Sequence, residues 1–472
     1  MKTYNTGLIN GELVTLHGTQ VIDLINPSNN EVIGKVTMAD ETDTRNAIAA
    51  AKKAFVSWSQ TTKEERLNYL QKLYDAEMLV MEELVEATIT EYGAPQERAI
   101  GSNALSANIF QHVKATLNDY QLVQTIGQSQ VFFEPVGVVA IFTPWNSSAG
   151  SMHIKLAPAL AAGCTVVIKP SEMSAMQTDV LMKVYHSAGL PPGVINVICG
   201  LGEVVGKTLS LSADIQKIAF TGSTQIGKII AKDALNTMKR FTLELGGKSP
   251  NIILDDADFE IAIPMAVRAC FLNNGQACIA ASRLLVPKDR LQEVIKLAKA
   301  TAESMKVGDP RDPEVILGPL ASLKQYDRVQ QYIQIALEEK AELVTGGPGH
   351  PAGLESGNFV KPTIFAGVTN DMTIAREEVF GPVLAILTYQ TEEEAISIAN
   401  DTEFGLIAYV SSSDHDRALA VARKIQAGRV LINTIGHDPL TPFGGFKQSG
   451  IGREGGILGL EEYLEPKAII TA

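Results

Sequence analysis

The stretch Val138-Val139-Ala140-Ile141-Phe142-Thr143-Pro144-Trp145-Asn146 begins a series of short apolar segments that predicts the fold. Segments with helical spacing separate it from four further apolar runs, at 165–168, 194–198, 218–220 and 241–245. Short buried strands that alternate with helices form βαβ units and a parallel sheet. Ligands of such sheets bind beyond the carboxyl ends of the strands. Polar and glycine residues accumulate at those predicted ends: 143–146, 169–172, 199–202 and 221–223.

Regions on both sides of this series extend the prediction. The segment up to about Asn118 has helical spacing, notably at 47–58 and 63–92, and 120–133 alternates loosely like a strand pair. A second α/β pattern begins at 251–254 and continues to about Asn433, and 467–471 is strand-like. The sequence therefore predicts an α/β protein with a parallel-sheet domain, a second α/β domain and a small β segment.

Composition excludes several classes of protein. A chain of 472 residues with 45% hydrophobic and 20% charged residues is long enough for two or three globular domains. The 40 basic and 53 acidic residues give a net charge of −13, which argues against nucleic-acid binding. The 4 cysteines include no C-x-x-C pair, which excludes a zinc ribbon, and their number suits a reducing compartment.

No membrane span or export signal is apparent. The longest uncharged stretch, 136–154, contains Pro144 and several serines, and the first residues lack the apolar core of a secretory signal. We therefore expect a soluble cytoplasmic protein.

Two glycine motifs could each hold a phosphate. Gly200-x-Gly202-x-x-x-Gly206 is one residue longer than the dinucleotide fingerprint, and Phe220-Thr221-Gly222-Ser223 precedes the next helix. A plain tight turn explains either pattern equally well. Lys169-Pro170-Ser171-Glu172 is either a capped turn or a pair of side chains that bind ribose hydroxyls.

Three further motifs contain groups with catalytic chemistry. Cys278 follows the turn Asn273-x-Gly275-Gln276 and is either a nucleophile or a small buried hydrophobe. Glu244 ends a predicted strand before Leu245-Gly246-Gly247, and Glu378 precedes Val379-Phe380-Gly381. An exposed acid is the plain alternative at both positions. No histidine lies near Cys278 in the sequence, so a Cys–His pair has no local support.

Taken together and in this order, the motifs resemble those of the aldehyde dehydrogenase superfamily over essentially the whole chain. They are Thr-Pro-Trp-Asn at 143–146, Lys-Pro-Ser-Glu at 169–172, Phe-Thr-Gly-Ser at 220–223, Glu-Leu-Gly-Gly-Lys at 244–248, Gly-Gln-x-Cys at 275–278, Glu-x-Phe-Gly-Pro at 378–382 and Pro-Phe-Gly-Gly-Phe-Lys-x-Ser-Gly at 442–450.

The resemblance implies NAD-dependent oxidation of a small-molecule aldehyde to the carboxylic acid. Cys278 would be the nucleophile that forms a thiohemiacetal and then a thioester, Asn146 would stabilise the oxyanion, and Glu244 would activate the hydrolytic water. Lys155 matches a lysine that supports this base, although a solvated helix residue is the alternative. Glu244 also favours hydrolysis over transfer of the acyl group to coenzyme A.

The resemblance also implies the cofactor site, with the Gly222-Ser223 turn rather than the Gly200 motif holding the cofactor. A carboxylate at 172 suits a free ribose 2′-hydroxyl, so NAD is expected, with NADP as the alternative and no metal ion. The residues expected to bind the cofactor are Thr143, Pro144, Trp145, Lys169, Ser171, Glu172, Gly202, Phe220, Gly222, Ser223, Leu245, Gly246, Glu378 and Phe380.

The domains follow from the same resemblance. They are a Rossmann-like NAD-binding domain (1–121 and 141–245), a catalytic domain (246–435) and an oligomerisation segment (122–140 and 453–472) that pairs strands between subunits of a homodimer or homotetramer. A non-catalytic cofactor-binding protein of the same fold and a cysteine-dependent ester hydrolase are the alternative functions.

Three departures from the family leave the substrate open. Ser147-Ser148 replace the aromatic and proline that often follow Asn146, and that aromatic usually walls the substrate pocket. The loop at 434–440 matches no substrate class, and Ala277 and Ile279 beside the nucleophile carry no charge.

Overall fold

A computed structural model describes residues 1–470. Its strands are β1 (Lys2–Tyr4), β2 (Thr6–Ile9), β3 (Glu12–Thr15), β4 (Val21–Ile25), β5 (Val32–Thr37), β6 (Val123–Ile126), β7 (Ser129–Pro135), β8 (Val138–Phe142), β9 (Thr165–Lys169), β10 (Ile195–Val197), β11 (Lys217–Thr221), β12 (Arg240–Glu244), β13 (Pro250–Ile253), β14 (Arg283–Pro287), β15 (Glu342–Thr345), β16 (Thr363–Ala366), β17 (Val383–Tyr389), β18 (Ile407–Ser411), β19 (Arg429–Ile432), β20 (Gly450–Ile451) and β21 (Leu464–Ile469).

The α-helices are α1 (Glu41–Trp58), α2 (Lys63–Met78), α3 (Met81–Ala87), α4 (Gln96–Asp119), α5 (Ser148–Ala162), α6 (Ala175–Ser187), α7 (Lys207–Leu211), α8 (Thr224–Leu235), α9 (Phe259–Phe271), α10 (Leu291–Ser304), α11 (Leu323–Glu338), α12 (Thr373–Arg376), α13 (Glu392–Asn400), α14 (His415–Ala422) and α15 (Gly456–Glu461). Short 3₁₀ or π segments lie at Thr88–Tyr92, Glu172–Ser174, Gly202–Gly206, Leu272–Gly275, Lys288–Arg290 and Lys447–Ser449. Within residues 1–470, no helix combines the length and the apolar character that a bilayer crossing requires.

The first large sheet contains the five strands predicted from the alternating pattern. Its order is β20-β12-β11-β8-β9-β10-β2-β3, and β12 to β10 are parallel. The register pairs Phe142 with Lys169 and Thr221 with Glu244, so the carboxyl ends of neighbouring strands meet at one edge. The predicted ligand-binding edge is therefore formed.

Burial on both faces explains why these strands are apolar throughout. Val139 and Ile141 of β8 pack in one core with helices α2, α4 and α5, whereas Ala140 and Phe142 pack in another with α1 and α8. Successive side chains of a strand point to opposite faces, so a strand covered on both sides carries no polar alternation.

The second large sheet has the order β15-β16-β17-β14-β13-β18-β19. All of its pairings are parallel except that of the edge strand β15 with β16. The predicted fold class, with two α/β domains built on parallel sheets, is confirmed.

A separate sheet of order β21-β7-β6 joins the chain's end to the predicted strand pair. Its β21 is antiparallel to β7, from Leu464 opposite Pro135 to Ile469 opposite Gln130. Residues 138–140, which the sequence-based boundary placed in the bridging segment, lie in β8 of the first large sheet. Residues 471 and 472 of that segment lie outside the described residues.

The beginning of the chain differs from the helix-rich prediction. Residues 2–37 form five short strands: β2 and β3 extend the first large sheet, and β1, β5 and β4 form a small sheet of their own. These strands are short and only partly buried, so they lack a strong hydrophobic period. The long helical run expected at 63–92 is also broken after Met78 and ends before Gly93, whose φ of +80° is left-handed.

Candidate active site

A cavity of about 680 Å³ opens where elements of the two large sheets meet. Its wall includes the residues that follow β8, β11 and β12 in the first sheet and those that precede β14 and β17 in the second. The topology therefore brings the separate sequence motifs to one place.

Cys278 reaches this cavity through a tight turn after α9. Asn273, Asn274 and Gly275 all have left-handed φ values, of +58°, +59° and +71°. A Cβ on Gly275 would lie 2.2 Å from the carbonyl carbon of Gly381, so only glycine allows the two backbones to approach. Cys278 is partly exposed, whereas Cys164, Cys199 and Cys270 are buried.

Burial and two nearby carboxylates keep the Cys278 thiol protonated at rest. Burial raises the pKa of Cys278 to about 12, and the carboxylates of Glu378 and Glu244 act in the same direction. A base must therefore remove this proton before the sulfur can act as a nucleophile.

Two hydrogen bonds hold Asn146 beside Cys278, one through its side chain and one through its backbone carbonyl. Its Nδ2 donates to the carbonyl oxygen of Gln276 at 2.8 Å, and Nδ2 of Asn273 donates to the carbonyl oxygen of Asn146 at 2.9 Å. A primary amide carries a second N–H. Within the described residues this second N–H makes no bond, so it is available to a ligand in the cavity.

Glu244, at the end of β12, lines the cavity and is only 3% exposed. Neither of its carboxylate oxygens has a hydrogen-bond partner among residues 1–470. Burial raises the pKa of Glu244 well above its usual value, the charge of Glu454 raises it further, and that of Lys155 lowers it. An unpaired acid of raised pKa is a suitable proton acceptor near neutral pH.

Lys155 lies next to Glu454. Its Nζ is 2.8 Å from Oε1 of Glu454 and donates to Oγ1 of Thr221 at 2.6 Å. The sequence analysis missed Glu454, although it is the acid within the glycine-rich stretch 444–459. The two residues form a buried ion pair whose charges act on the pKa of Glu244 in opposite directions.

The strand ends beside Glu244 form a second part of the site. Ser223 caps α8, with its Oγ accepting the N–H of Ile226 at 3.4 Å, and a Cβ on Gly222 would lie 2.4 Å from the Phe220 ring. Two strands from β11, at the end of β9, Nζ of Lys169 is 3.8 Å from a carboxylate oxygen of Glu172.

Glu378 and Phe380 approach this edge from the second sheet. Oε1 of Glu378 accepts the N–H of Gly247 at 3.0 Å, and a Cβ on Gly246 would lie 2.5 Å from its other oxygen. Burial raises the pKa of Glu378 to about 7. The ring of Phe380 meets that of Trp145 edge to face, with centroids 5.5 Å apart.

The cavity wall contains some of the predicted site residues and not others. Those on the wall are Pro144, Trp145, Asn146, Gly222, Ser223, Glu244, Leu245, Gly246, Cys278, Glu378 and Phe380. Those outside it are Thr143, Lys155, Lys169, Ser171, Glu172, Gly202 and Phe220. Among the latter, Gly202 begins the π segment after β10, in open space, and Lys155 is buried behind Thr221.

Comparison with known proteins agrees with this geometry. Residues 14–469 match the model of the aldehyde dehydrogenase family. A 3-succinoylsemialdehyde-pyridine dehydrogenase of a Pseudomonas species is 43% identical over 472 residues, which cover 100% of this chain and 99% of that protein.

Solved structures agree as well. A variant of aldehyde dehydrogenase C from Pseudomonas syringae, complexed with NAD⁺ and octanal, has a TM-score of 0.97 at 43% identity, covering 99% of this chain and 96% of that chain. Betaine aldehyde dehydrogenase from Staphylococcus aureus, in complex with NAD⁺, has a TM-score of 0.96 at 37% identity, and the match covers 99% of this chain and 94% of that chain.

A Rossmann-like sheet that meets a second α/β domain around a cysteine defines an oxidoreductase of the aldehyde dehydrogenase class. The chain belongs to the aldehyde dehydrogenase family. The predictions of family, fold class and enzyme class are confirmed.

Proposed function

We propose that the protein oxidises an aldehyde to the carboxylic acid with NAD⁺, through covalent attachment of the substrate to Cys278. One observation carries the proposal: the thiol of Cys278, the amide of Asn146 and the unpaired carboxylate of Glu244 line one cavity. These groups are the nucleophile, the oxyanion donor and the base that this reaction requires.

The first step is attack of the Cys278 sulfur on the aldehyde carbon. The thiol gives up its proton to water in the cavity as the C–S bond forms, and the electron pair of the C=O π bond moves to the carbonyl oxygen, which becomes the oxyanion of a thiohemiacetal. The second N–H of Asn146 and the backbone N–H of Cys278 would donate to that oxygen. A donor of this kind contributes roughly 3 kcal/mol to the transition state.

The strand-end residues fit a dinucleotide. Glycine is required at 222 and 246 because a side chain there would meet the Phe220 ring or the Glu378 carboxylate. Both glycines line the cavity, so a ligand in it would meet bare backbone at the start of α8 and beyond the end of β12. Lys169 and Glu172, near each other at the end of β9, would hold ribose hydroxyls, and the Glu172 carboxylate would disfavour a 2′-phosphate, which supports NAD over NADP. When bound, NAD⁺ accepts the hydride that leaves the thiohemiacetal carbon.

Hydrolysis of the resulting thioester releases the acid and restores the thiol. Glu244 takes a proton from water, the hydroxide oxygen bonds to the acyl carbon, and the C–S bond breaks. Burial raises the pKa of this base, and the nearby Lys155–Glu454 pair adjusts that pKa through opposing charges. Lys155 and Glu454 are thus positioning residues.

We further propose a homodimer or homotetramer in the cytoplasm. The sheet β21-β7-β6 ends in β6, an edge strand with exposed Val123 and Ile126, and such an edge needs cover. A reducing compartment keeps Cys278 a thiol, which the chemistry requires.

The decisive experiment follows NADH formation by the purified protein with a panel of aldehydes under NAD⁺ and NADP⁺. We expect turnover that prefers NAD⁺ and is abolished in Cys278→Ser. Acylation of the protein by an activated ester should occur in the wild type and not in this variant. Full activity of Cys278→Ser would refute the nucleophile, and NAD⁺-independent ester cleavage alone would favour the hydrolase alternative.

A further inference from the structure

We infer that the enzyme prefers aldehydes that carry a carboxylate at the end remote from the aldehyde group, and that Arg98 binds this carboxylate. The inference rests on the proposed function, because it concerns the substrate of the Cys278 site. Arg98 lies in the first turn of α4 and lines the same cavity as Cys278 and Asn146. The sequence alone did not indicate it, since α4 is distant from every catalytic motif.

Arg98 is half-buried, and its guanidinium lacks the partners that the buried arginines have. Its Nε lies 3.5 Å from Oδ1 of Asn273, and within residues 1–470 neither Nη atom makes a hydrogen bond or an ion pair. By contrast, the guanidinium groups of Arg66 and Arg283 donate from Nε and from both Nη atoms. A guanidinium remains charged in proteins, so the N–H groups of Arg98 that have no partner can bind an anion.

A second arginine lines this cavity together with Arg98. Arg429 and His437 line the same cavity and contact each other, with Nη1 of Arg429 3.0 Å from Nδ1 of His437. Burial lowers the pKa of His437, and the charges of Arg429 and Arg98 lower it further. Asp438 interacts with Arg429, but among residues 1–470 no carboxylate forms an ion pair with Arg98.

Arg98 is also connected to the reacting centre. Its Nε partner, Asn273, donates through Nδ2 to the carbonyl oxygens of Asn146, at 2.9 Å, and Gln276, at 3.2 Å. Asn146 is the residue proposed to hold the oxyanion. A ligand on Arg98 therefore lies at the end of a short network that begins at the aldehyde oxygen.

The serine at position 147 gives a ligand access to Arg98. Ser147 stands where many family members have an aromatic residue, and it lines the cavity together with Arg98. A small side chain there leaves the guanidinium open to the cavity. One unpaired arginine offers a planar, bidentate site that matches the geometry and the single charge of a carboxylate.

The test compares ω-oxo acids with neutral aldehydes of equal chain length. We would measure kcat/KM with NAD⁺ for 4-oxobutanoate, 5-oxopentanoate and 6-oxohexanoate against butanal, pentanal and hexanal. In at least one pair, kcat/KM for the oxo acid should exceed that for the neutral aldehyde by about tenfold or more, which is the expected effect of a charged hydrogen bond. In Arg98→Gln this acid-to-neutral ratio should fall about tenfold, and Arg98→Lys should retain part of it.

Lys114→Gln is the matched control. It removes the same charge from α4 at a position outside the cavity wall, and its acid-to-neutral ratio should equal that of the wild type. A second readout needs no turnover of the acid: glutarate should inhibit competitively with the aldehyde, with an inhibition constant that rises about tenfold in Arg98→Gln. Equal melting temperatures would confirm that the variants are folded, and Arg98→Lys carries the test if Arg98→Gln does not fold.

Two outcomes separate this inference from the proposed function. Oxidation of neutral aldehydes with no preference for any acid, or an unchanged ratio in Arg98→Gln, would overturn the role of Arg98 and leave the proposed function standing. Failure to oxidise any aldehyde would overturn both.

Discussion

At the scale of single residues, the environment of Glu244 makes it suited to accept protons. Burial without a hydrogen-bond partner penalises its charged form, and the nearby negative charge of Glu454 adds to that penalty. The same environment keeps the Cys278 thiol protonated at rest. The two groups therefore become reactive only through proton transfer, which limits side reactions of the thiol.

We expect Glu244→Gln to slow steady-state turnover by about 10²–10⁴-fold, because an amide cannot accept a proton from water. The acyl group should then accumulate on Cys278, and mass spectrometry of the intact protein after mixing with aldehyde and NAD⁺ would detect it. Wild-type turnover by this variant would exclude Glu244 as the base. Glu97→Gln, on the exposed side of α4, is a matched control.

The charge of Glu454 should be visible in the pH dependence of activity. As a base, Glu244 works when deprotonated, so turnover should rise with pH through its raised pKa. Glu454→Gln removes a charge that raises this pKa and frees Lys155 to lower it, so the midpoint should move to lower pH. A profile of kcat against pH for both proteins measures the shift, and an unmoved or higher midpoint would contradict it.

At the scale of elements, glycines at the ends of strands and helices determine how closely the site's parts approach. The segment after β12 approaches Glu378, before β17, because position 246 carries no side chain, and it approaches the carbonyl oxygen of Cys278, before β14, because position 247 carries none. In the same way, the turn after α9 meets the backbone at 381 and 382 through Gly275. The loops are held by backbone packing, so the side chains they carry have little freedom to move.

Gly246→Ala should weaken cofactor binding. The new Cβ would lie 2.5 Å from a Glu378 oxygen, so the carboxylate must move away from its hydrogen bond with Gly247. We expect the KM for NAD⁺ to rise about tenfold, as for loss of one charged hydrogen bond. Gly206→Ala is the control, since its Cβ would meet no atom within 4 Å. An unchanged KM would argue against a cofactor role for Glu378.

At the scale of the whole molecule, the sheet β21-β7-β6 combines distant parts of the chain. Its last strand, β6, has one paired edge, and exposed apolar side chains at Val123 and Ile126. Unpaired strand edges readily bind a further strand. This sheet is therefore the surface through which we expect the subunits to associate.

Light scattering should find a dimer or a tetramer, and Ile126→Lys should shift the distribution towards smaller species. The lysine would place a charge at the expected interface, at a position now 58% exposed. Val56→Lys, at a position 73% exposed on α1, serves as the control and should leave the assembly unchanged. A monomeric wild type, or an identical effect of the two variants, would count against association through this sheet.

The sequence predicted the features that depend on neighbouring residues. Strands β8 to β12 and their alternation with helices follow from local hydrophobic patterns, and the turns around Gly222 and Gly275 follow from local backbone requirements. Local hydrophobic patterns did not predict the strands in residues 2–37, because those strands are short and β2 joins the first large sheet through β10, far along the chain.

By itself, then, the sequence determined the parallel-sheet architecture, the family and the identity of the groups with reactive chemistry. Only the tertiary structure decided that Lys155 pairs with Glu454 and that, among residues 1–470, Glu244 has no hydrogen-bond partner and Arg98 lines the cavity without an ion-paired carboxylate. Hydrophobic periodicity is set by burial along one segment, whereas a side chain's pKa and its available donors depend on which distant segments pack against it. The substrate preference inferred for this enzyme therefore comes from packing rather than from any motif.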